Sequence, residues 1–127
     1  MAGLSRSKEE YLKAIYQLAY RTGKAAITDI AQRMGVSKAS ASCAVSDLEK
    51  RGLVMRDASR RVVPTHAGQT LARTITGRYD SIYRFMREVL HVRAETCAQE
   101  ACVLEHLLSD ASVVAIRRLL DQAHNTQ

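Results

Sequence analysis

Residues 27–52 read ITDIAQRMGVSKASASCAVSDLEKRG, and their pattern decides the fold. ITDIAQRM predicts a short helix with Thr28 as its N-cap. Gly35 supplies a tight turn, and Ser37 is placed to cap a third helix that Gly52 closes. Helix, glycine turn and serine-capped helix form the helix-turn-helix pattern. Apolar side chains at Ile30, Ala31, Met34, Val36, Ala41, Val45 and Leu48 recur at helical spacing and predict the buried side of this unit.

Working outward, SKEEYLKAIYQLAY (residues 7–20) carries a helical apolar stripe, with Ser7 as the expected cap and Glu9 and Glu10 in the favourable first turn. Downstream, LVMR (53–56), DASR and then RVVP (61–64) predict two short strands around a turn, a β-hairpin. A hairpin behind the second helix of a helix-turn-helix makes a winged helix. Thr65 caps a long helix over about residues 66–90. Two more follow over 94–108 and 110–123, with Ser109 or Asp110 as the cap between them. The expected architecture is mainly α: a winged helix-turn-helix domain over residues 1–72, then a helical domain over 73–127. The last third is short and apolar on one face, so it is expected to need a second copy of the chain to bury that face.

Charge follows the same division. Residues 1–78 hold 14 Lys and Arg against 6 Asp and Glu, a net +8, whereas residues 79–127 hold 5 against 7, a net −2, together the +6 of the 127-residue chain. A basic first half implies a polyanionic partner for that half alone. In a helix-turn-helix the second helix enters the major groove with its N-terminal residues nearest the bases. Those are Ser37, Lys38, Ala39, Ser40 and Ser42, small or hydroxylic enough for close approach to base edges and phosphates. Arg56, Arg60 and Arg61 on the wing are expected at the phosphate backbone or minor groove, and Lys50 adds to the same field.

At 46% hydrophobic, with one Pro, six Gly and no Trp, the composition favours packed helices. The N-terminus lacks an apolar core of signal-peptide length and no 18-residue apolar run occurs, so a cytoplasmic protein without a membrane partner is expected. Three cysteines (Cys43, Cys97 and Cys102) do not make a disulfide framework.

The second chemical feature is EACVLEHLL (residues 100–108), which contains C-x-x-E-H. On a helix, spacings of i, i+3 and i+4 set Cys102, Glu105 and His106 on one face. A thiolate, a carboxylate and an imidazole make a half-site for a divalent transition metal. Each residue alone reads more simply: Cys102 as a small core side chain, Glu105 and His106 as surface groups. Cys43 and the tyrosines Tyr11, Tyr16 and Tyr20 are expected to pack. His66, His91 and His124 are expected to be structural or exposed.

EEYLKAIYQL (9–18), ITDIAQRMGVSKASASCAVSDLEKRGLV (27–54), THAGQTLA (65–72) and EACVLEHLLSD (100–110) together resemble the diphtheria toxin repressor family of iron- and manganese-dependent repressors, over about residues 5–122. The resemblance implies a metal-binding and dimerisation domain after the winged helix, a homodimer, and metal-dependent binding to palindromic operators in double-stranded DNA that control metal-homeostasis genes. It implies a primary metal site at Glu10, Cys102, Glu105 and His106, and a short form without the SH3-like domain of some relatives. The ligand set is mixed: a hard Glu10 draws toward Mn(II) or Fe(II), a softer Cys102 toward Fe(II), Co(II) or Zn(II). Fe(II) is the first expectation and Mn(II) the second, with Co(II), Ni(II) or Zn(II) able to bind in vitro. A second site of His, Glu and His in relatives falls on Tyr79, Tyr83 and Ala98, which are poor ligands. Asp80, His91 and Cys97 are the nearby residues that could rebuild it.

Three other readings compete. The winged helix could answer to thiol oxidation at Cys97 and Cys102 or to a small ligand instead of a metal. It could serve protein contacts only. Enzymatic use of Cys102 and His106 has no oxyanion donors or orienting group to support it.

Overall fold

A computed structural model describes residues 4–125, with side chains through Gln122, so His124 lies outside the described side chains. The element order is α1 (Arg6–Leu18), α2 (Ile27–Met34), α3 (Lys38–Lys50), β1 (Val54–Arg56), β2 (Val62–Pro64), α4 (His66–Glu88), α5 (Ala94–Leu104) and α6 (Asp110–Asn125). The chain forms two units divided within α4, one ending at Arg73 and the other beginning at Thr74.

In the first unit, α1, α2 and α3 enclose a core built on Leu12, Ile15, Ile30, Val45, Leu48, Leu53, Val54 and Val62. α1 begins earlier than its sequence suggests. Ser5, not Ser7, is the N-cap, its hydroxyl accepting from the Lys8 amide at 3.2 Å. Leu4, just before the cap, packs on the core and fixes the chain's entry there. α2 also starts without its expected cap. Ala25 pairs with Val62 through two 2.8 Å backbone hydrogen bonds, which hold the chain extended up to Ala26, and Ala26 replaces Thr28 as N-cap. Gly35 takes a left-handed φ of 68°, and Val36 beyond that turn is exposed, against expectation. Ser37 caps α3 as predicted, accepting from the Ser40 amide at 3.0 Å. Cys43 and Tyr20, expected to pack, are exposed.

The hairpin is antiparallel, with Val54 opposite Pro64, Met55 opposite Val63 and Arg56 opposite Val62. Asp57 shapes its turn: Oδ1 accepts from the Ser59 amide at 2.9 Å, the Ser59 hydroxyl at 2.7 Å and the Arg61 amide at 2.9 Å. Arg60 sits in the left-handed region, φ 65°, at the tip. Thr65 caps α4, its hydroxyl accepting from Gly68 and donating to the Gly52 carbonyl at 2.7 Å. Gly68 lies so close to the hairpin base that a Cβ there would overlap the Leu53 carbonyl.

In the second unit, Ile82 and Met86 of α4 pack with Cys97 and Ala101 of α5, joined by Tyr79, Tyr83, Leu104, Leu108 and Ile116. The Arg117 Nε donates to the buried Ser81 hydroxyl at 2.9 Å and ties α6 to α4. Ser109 caps α6 through the Ser112 amide at 3.2 Å. α4 stops at Glu88 and α5 at Leu104, short of residues 90 and 108.

Candidate metal centre and nucleic-acid surface

Because α5 ends at Leu104, the C-x-x-E-H motif straddles a helix end instead of lying within a helix. Cys102 occupies the last turn of α5. Glu105 is the C-cap, still right-handed at φ −59° and ψ −24°, with its amide on Ala101 O at 3.0 Å, so it keeps the i+3 relation to Cys102. The His106 amide turns to Val103 O at 3.2 Å, a tighter bond than the α-helical one.

Arg78, 27 residues before Glu105, braces this helix end. Its guanidinium donates through Nε to the Glu105 carbonyl at 2.7 Å, through Nη1 to Asp110 Oδ1 at 2.6 Å and through Nη2 to the Leu108 carbonyl. Carbonyls at a helix end otherwise lack partners, and this planar fork satisfies two around the turn. Arg78 escaped the sequence reading because nothing local links it to residues about thirty positions away.

The turn brings the Glu105 and His106 side chains together. Glu105 Oε1 lies 3.2 Å from His106 Nε2, and the two side chains are 0% and 1% exposed. Cys102 is half-buried beside them in sequence. Burying a carboxylate is costly unless positive charge or donors meet it. A buried carboxylate, an imidazole and a nearby thiol therefore fit a first-row divalent ion in donor chemistry. Glu10 belongs to α1 in the first unit and is half-buried there.

Elsewhere in the second unit, Cys97 is buried with its Sγ 3.3 Å from the Val92 carbonyl, as a core thiol would be. Tyr79 and Tyr83 stack with ring centroids 6.0 Å apart. His66 and His91 are exposed.

In the first unit, Lys38, Ala39, Ser42, Arg56, Arg60 and Arg61 border one open hollow between α3 and the wing. Ser37 and Ser40 lie at the α3 N-terminus, where the Ser37 hydroxyl donates to Ser40 Oγ at 3.0 Å. Ser40 borders a second hollow with Ser7 and Lys8 of α1. Two neighbours of this surface were not anticipated: Lys8, and Ser46, which receives Arg56.

A winged helix followed by a helical unit with a buried acid–imidazole turn defines the class: regulators that join nucleic-acid binding to metal binding. The chain belongs to the iron-dependent repressor family. Its residues 3–62 match the family's "Iron dependent repressor, N-terminal DNA binding domain" and residues 65–126 its "metal binding and dimerisation domain". The family is one of transcriptional regulators, not enzymes.

Among individual relatives, the chain is similar to the diphtheria toxin repressor of Corynebacterium diphtheriae, at 29% identity over 87% of this chain and 49% of that protein. It is similar to the HTH-type transcriptional regulator MntR of Bacillus subtilis, at 28% identity over 90% of this chain and 80% of that one. Among solved structures it resembles the manganese regulator SloR, with a TM-score of 0.76 and 35% identity over 90% of this chain and 53% of that one. It also resembles ScaR with bound Zn2+, with a TM-score of 0.81 and 32% identity over the same shares. The chain thus spans about half the length of the diphtheria toxin repressor and of these two structures.

Proposed function

We propose that this protein is a metal-responsive transcriptional regulator, a homodimer that binds palindromic operators in the cytoplasm and represses metal-uptake or metal-homeostasis genes. The observation that carries the reading is the buried Glu105–His106 pair, three residues past Cys102, in a chain whose other unit is a winged helix. Glu10, Cys102, Glu105 and His106 are the proposed ligands, for Fe(II) first and Mn(II) second. A bound ion would supply the positive charge that offsets two carboxylates and a thiolate.

The chain's own part follows from where these ligands reside. Glu10 is carried by the helix that packs in the DNA-binding core, Cys102 by the last turn of α5, and Glu105 and His106 by the turn that Arg78 holds. A cation shared by these ligands would couple the two units, and only an interaction that favours one conformational state can convert metal binding into DNA affinity. On the DNA side, Ser37, Lys38, Ala39, Ser40 and Ser42 are the proposed groove-facing residues, with Arg60 and Arg61 toward the phosphates and Arg56 between them and α3. Dimerisation would cover apolar side chains that the second unit leaves at its surface, among them Val103 and Leu107.

The test is an anaerobic fluorescence-anisotropy titration on duplex DNA from the protein's own promoter region, apo and with Fe(II), Mn(II), Co(II) or Zn(II) at fixed salt. One metal should tighten binding sharply. Glu10→Ala should abolish that response while circular dichroism and sedimentation still report a folded dimer. An unchanged metal response in Glu10→Ala would sink the proposed linkage. Equal DNA binding with and without every metal would reassign Cys102, Glu105 and His106 to packing or thiol chemistry.

A further inference from the structure

The Arg56 side chain is only 17% exposed, although it sits on a wing otherwise rich in solvent-facing cations. From the end of β1 it reaches back to α3. Nη2 lies 3.0 Å from the Ser42 carbonyl, 3.3 Å from Ser42 Oγ and 3.0 Å from Ser46 Oγ, while Nε lies 3.8 Å from Glu49 Oε1. A guanidinium only donates, so the Ser42 hydroxyl must accept from it. That bond takes one of the two lone pairs on Ser42 Oγ and limits the directions open to its O–H hydrogen and its second lone pair. Ser42 borders the hollow shared with Lys38, Ala39, Arg60 and Arg61.

We infer that Arg56 is a positioning residue that sets the wing against α3 and fixes the orientation in which the Ser42 hydroxyl is presented to DNA. An unconstrained serine can donate or accept and so reads either kind of base edge. A Ser42 hydroxyl held in one orientation satisfies one arrangement of base-edge donors and acceptors better than the others. Arg56 acts here through Ser42 and not through a phosphate. The inference rests on the DNA-binding reading above.

The two roles of Arg56 separate in solution. The full chain, loaded with the activating metal, is used to select a duplex from random-sequence DNA. Affinity is then measured on that duplex, on its single-base variants and on an unselected duplex, across a salt series, for wild type, Arg56→Gln, Arg56→Lys and Ser42→Ala. Arg56→Gln should leave the slope of log affinity against log salt unchanged and lower the preference for the selected duplex about tenfold, within the range of one misread base pair. The lost preference should fall at the same base pair that Ser42→Ala flattens, and the double variant should be no worse than either single one. A slope reduced by about 1, with uniform weakening on every duplex, would make Arg56 a phosphate contact and overturn the inference. If Arg56→Gln does not fold, Ser42→Ala decides alone: an unaltered base preference in that variant also overturns it. Absence of salt-dependent duplex binding by the metal-loaded wild type would instead defeat the DNA-binding reading itself.

Discussion

Arg78 shows how one side chain can prepare a site it does not enter. Its three hydrogen bonds close the Glu105–Asp110 turn, and with 12% of its side chain exposed it is shielded from competing water. Residues that orient ligands typically affect metal affinity by about 10–100-fold. Arg78→Ala should therefore weaken divalent-metal binding by about that factor in isothermal titration calorimetry, while Arg78→Lys, which lacks the planar fork, should recover only part of it. Full affinity in Arg78→Ala would mean that the Glu105–His106 turn is held by its core contacts alone.

At the scale of elements, one carboxylate organises the tip of the wing. The Ser59 hydroxyl first, then the Arg61 amide, hold the Asp57 carboxyl below its ordinary value of 3.8. A depressed carboxyl pKa stabilises the folded turn fully above the ordinary value, and that stabilisation is lost as the pH falls through the lower, folded one. The Ser59 and Arg61 amide signals should thus keep their dispersion in two-dimensional NMR down to about pH 4 and collapse toward random-coil positions below it, whereas Asp57→Ala should show the collapsed positions at neutral pH. If both amides titrate instead near pH 6, another group controls the turn. The same hairpin explains where α2 begins. The Ala25–Val62 pairing joins residues 37 positions apart and sets the start of α2, so the Thr28 cap expected from local sequence gave way to a long-range contact.

For the molecule as a whole, the charge division assigns the two halves different partners. The basic first part meets a polyanion, and the near-neutral second part can meet a copy of itself without strong repulsion. Val103 and Leu107 are spaced four residues apart, and both are exposed, Leu107 at 67%. A unit of this size, ending in short helices, gains much by covering such residues. Changing both, Val103→Asp with Leu107→Asp, should raise the dimer dissociation constant by at least about a hundredfold, or roughly 3 kcal/mol. Analytical ultracentrifugation would show it, and metal-dependent DNA affinity should fall in parallel. A dimer of unchanged stability would place the subunit contact on another face.

The winged helix, the order of its elements and the C-x-x-E-H motif are legible in the chain's residues, because helical periodicity, serine caps and glycine turns are local properties read within a few residues. The sequence also carried the family, whose motifs run nearly the length of the chain. Long-range contacts decided where α1 and α2 start and where α4 and α5 stop, that Val36, Tyr20 and Cys43 face solvent, and which arginines act inside the protein. Arg56 reads as a groove cation in sequence yet spends its hydrogen bonds on Ser42 and Ser46, and Arg78 closes a turn about thirty residues away. Such choices depend on which acceptors the fold brings within reach of a long side chain, and no local pattern encodes that distance.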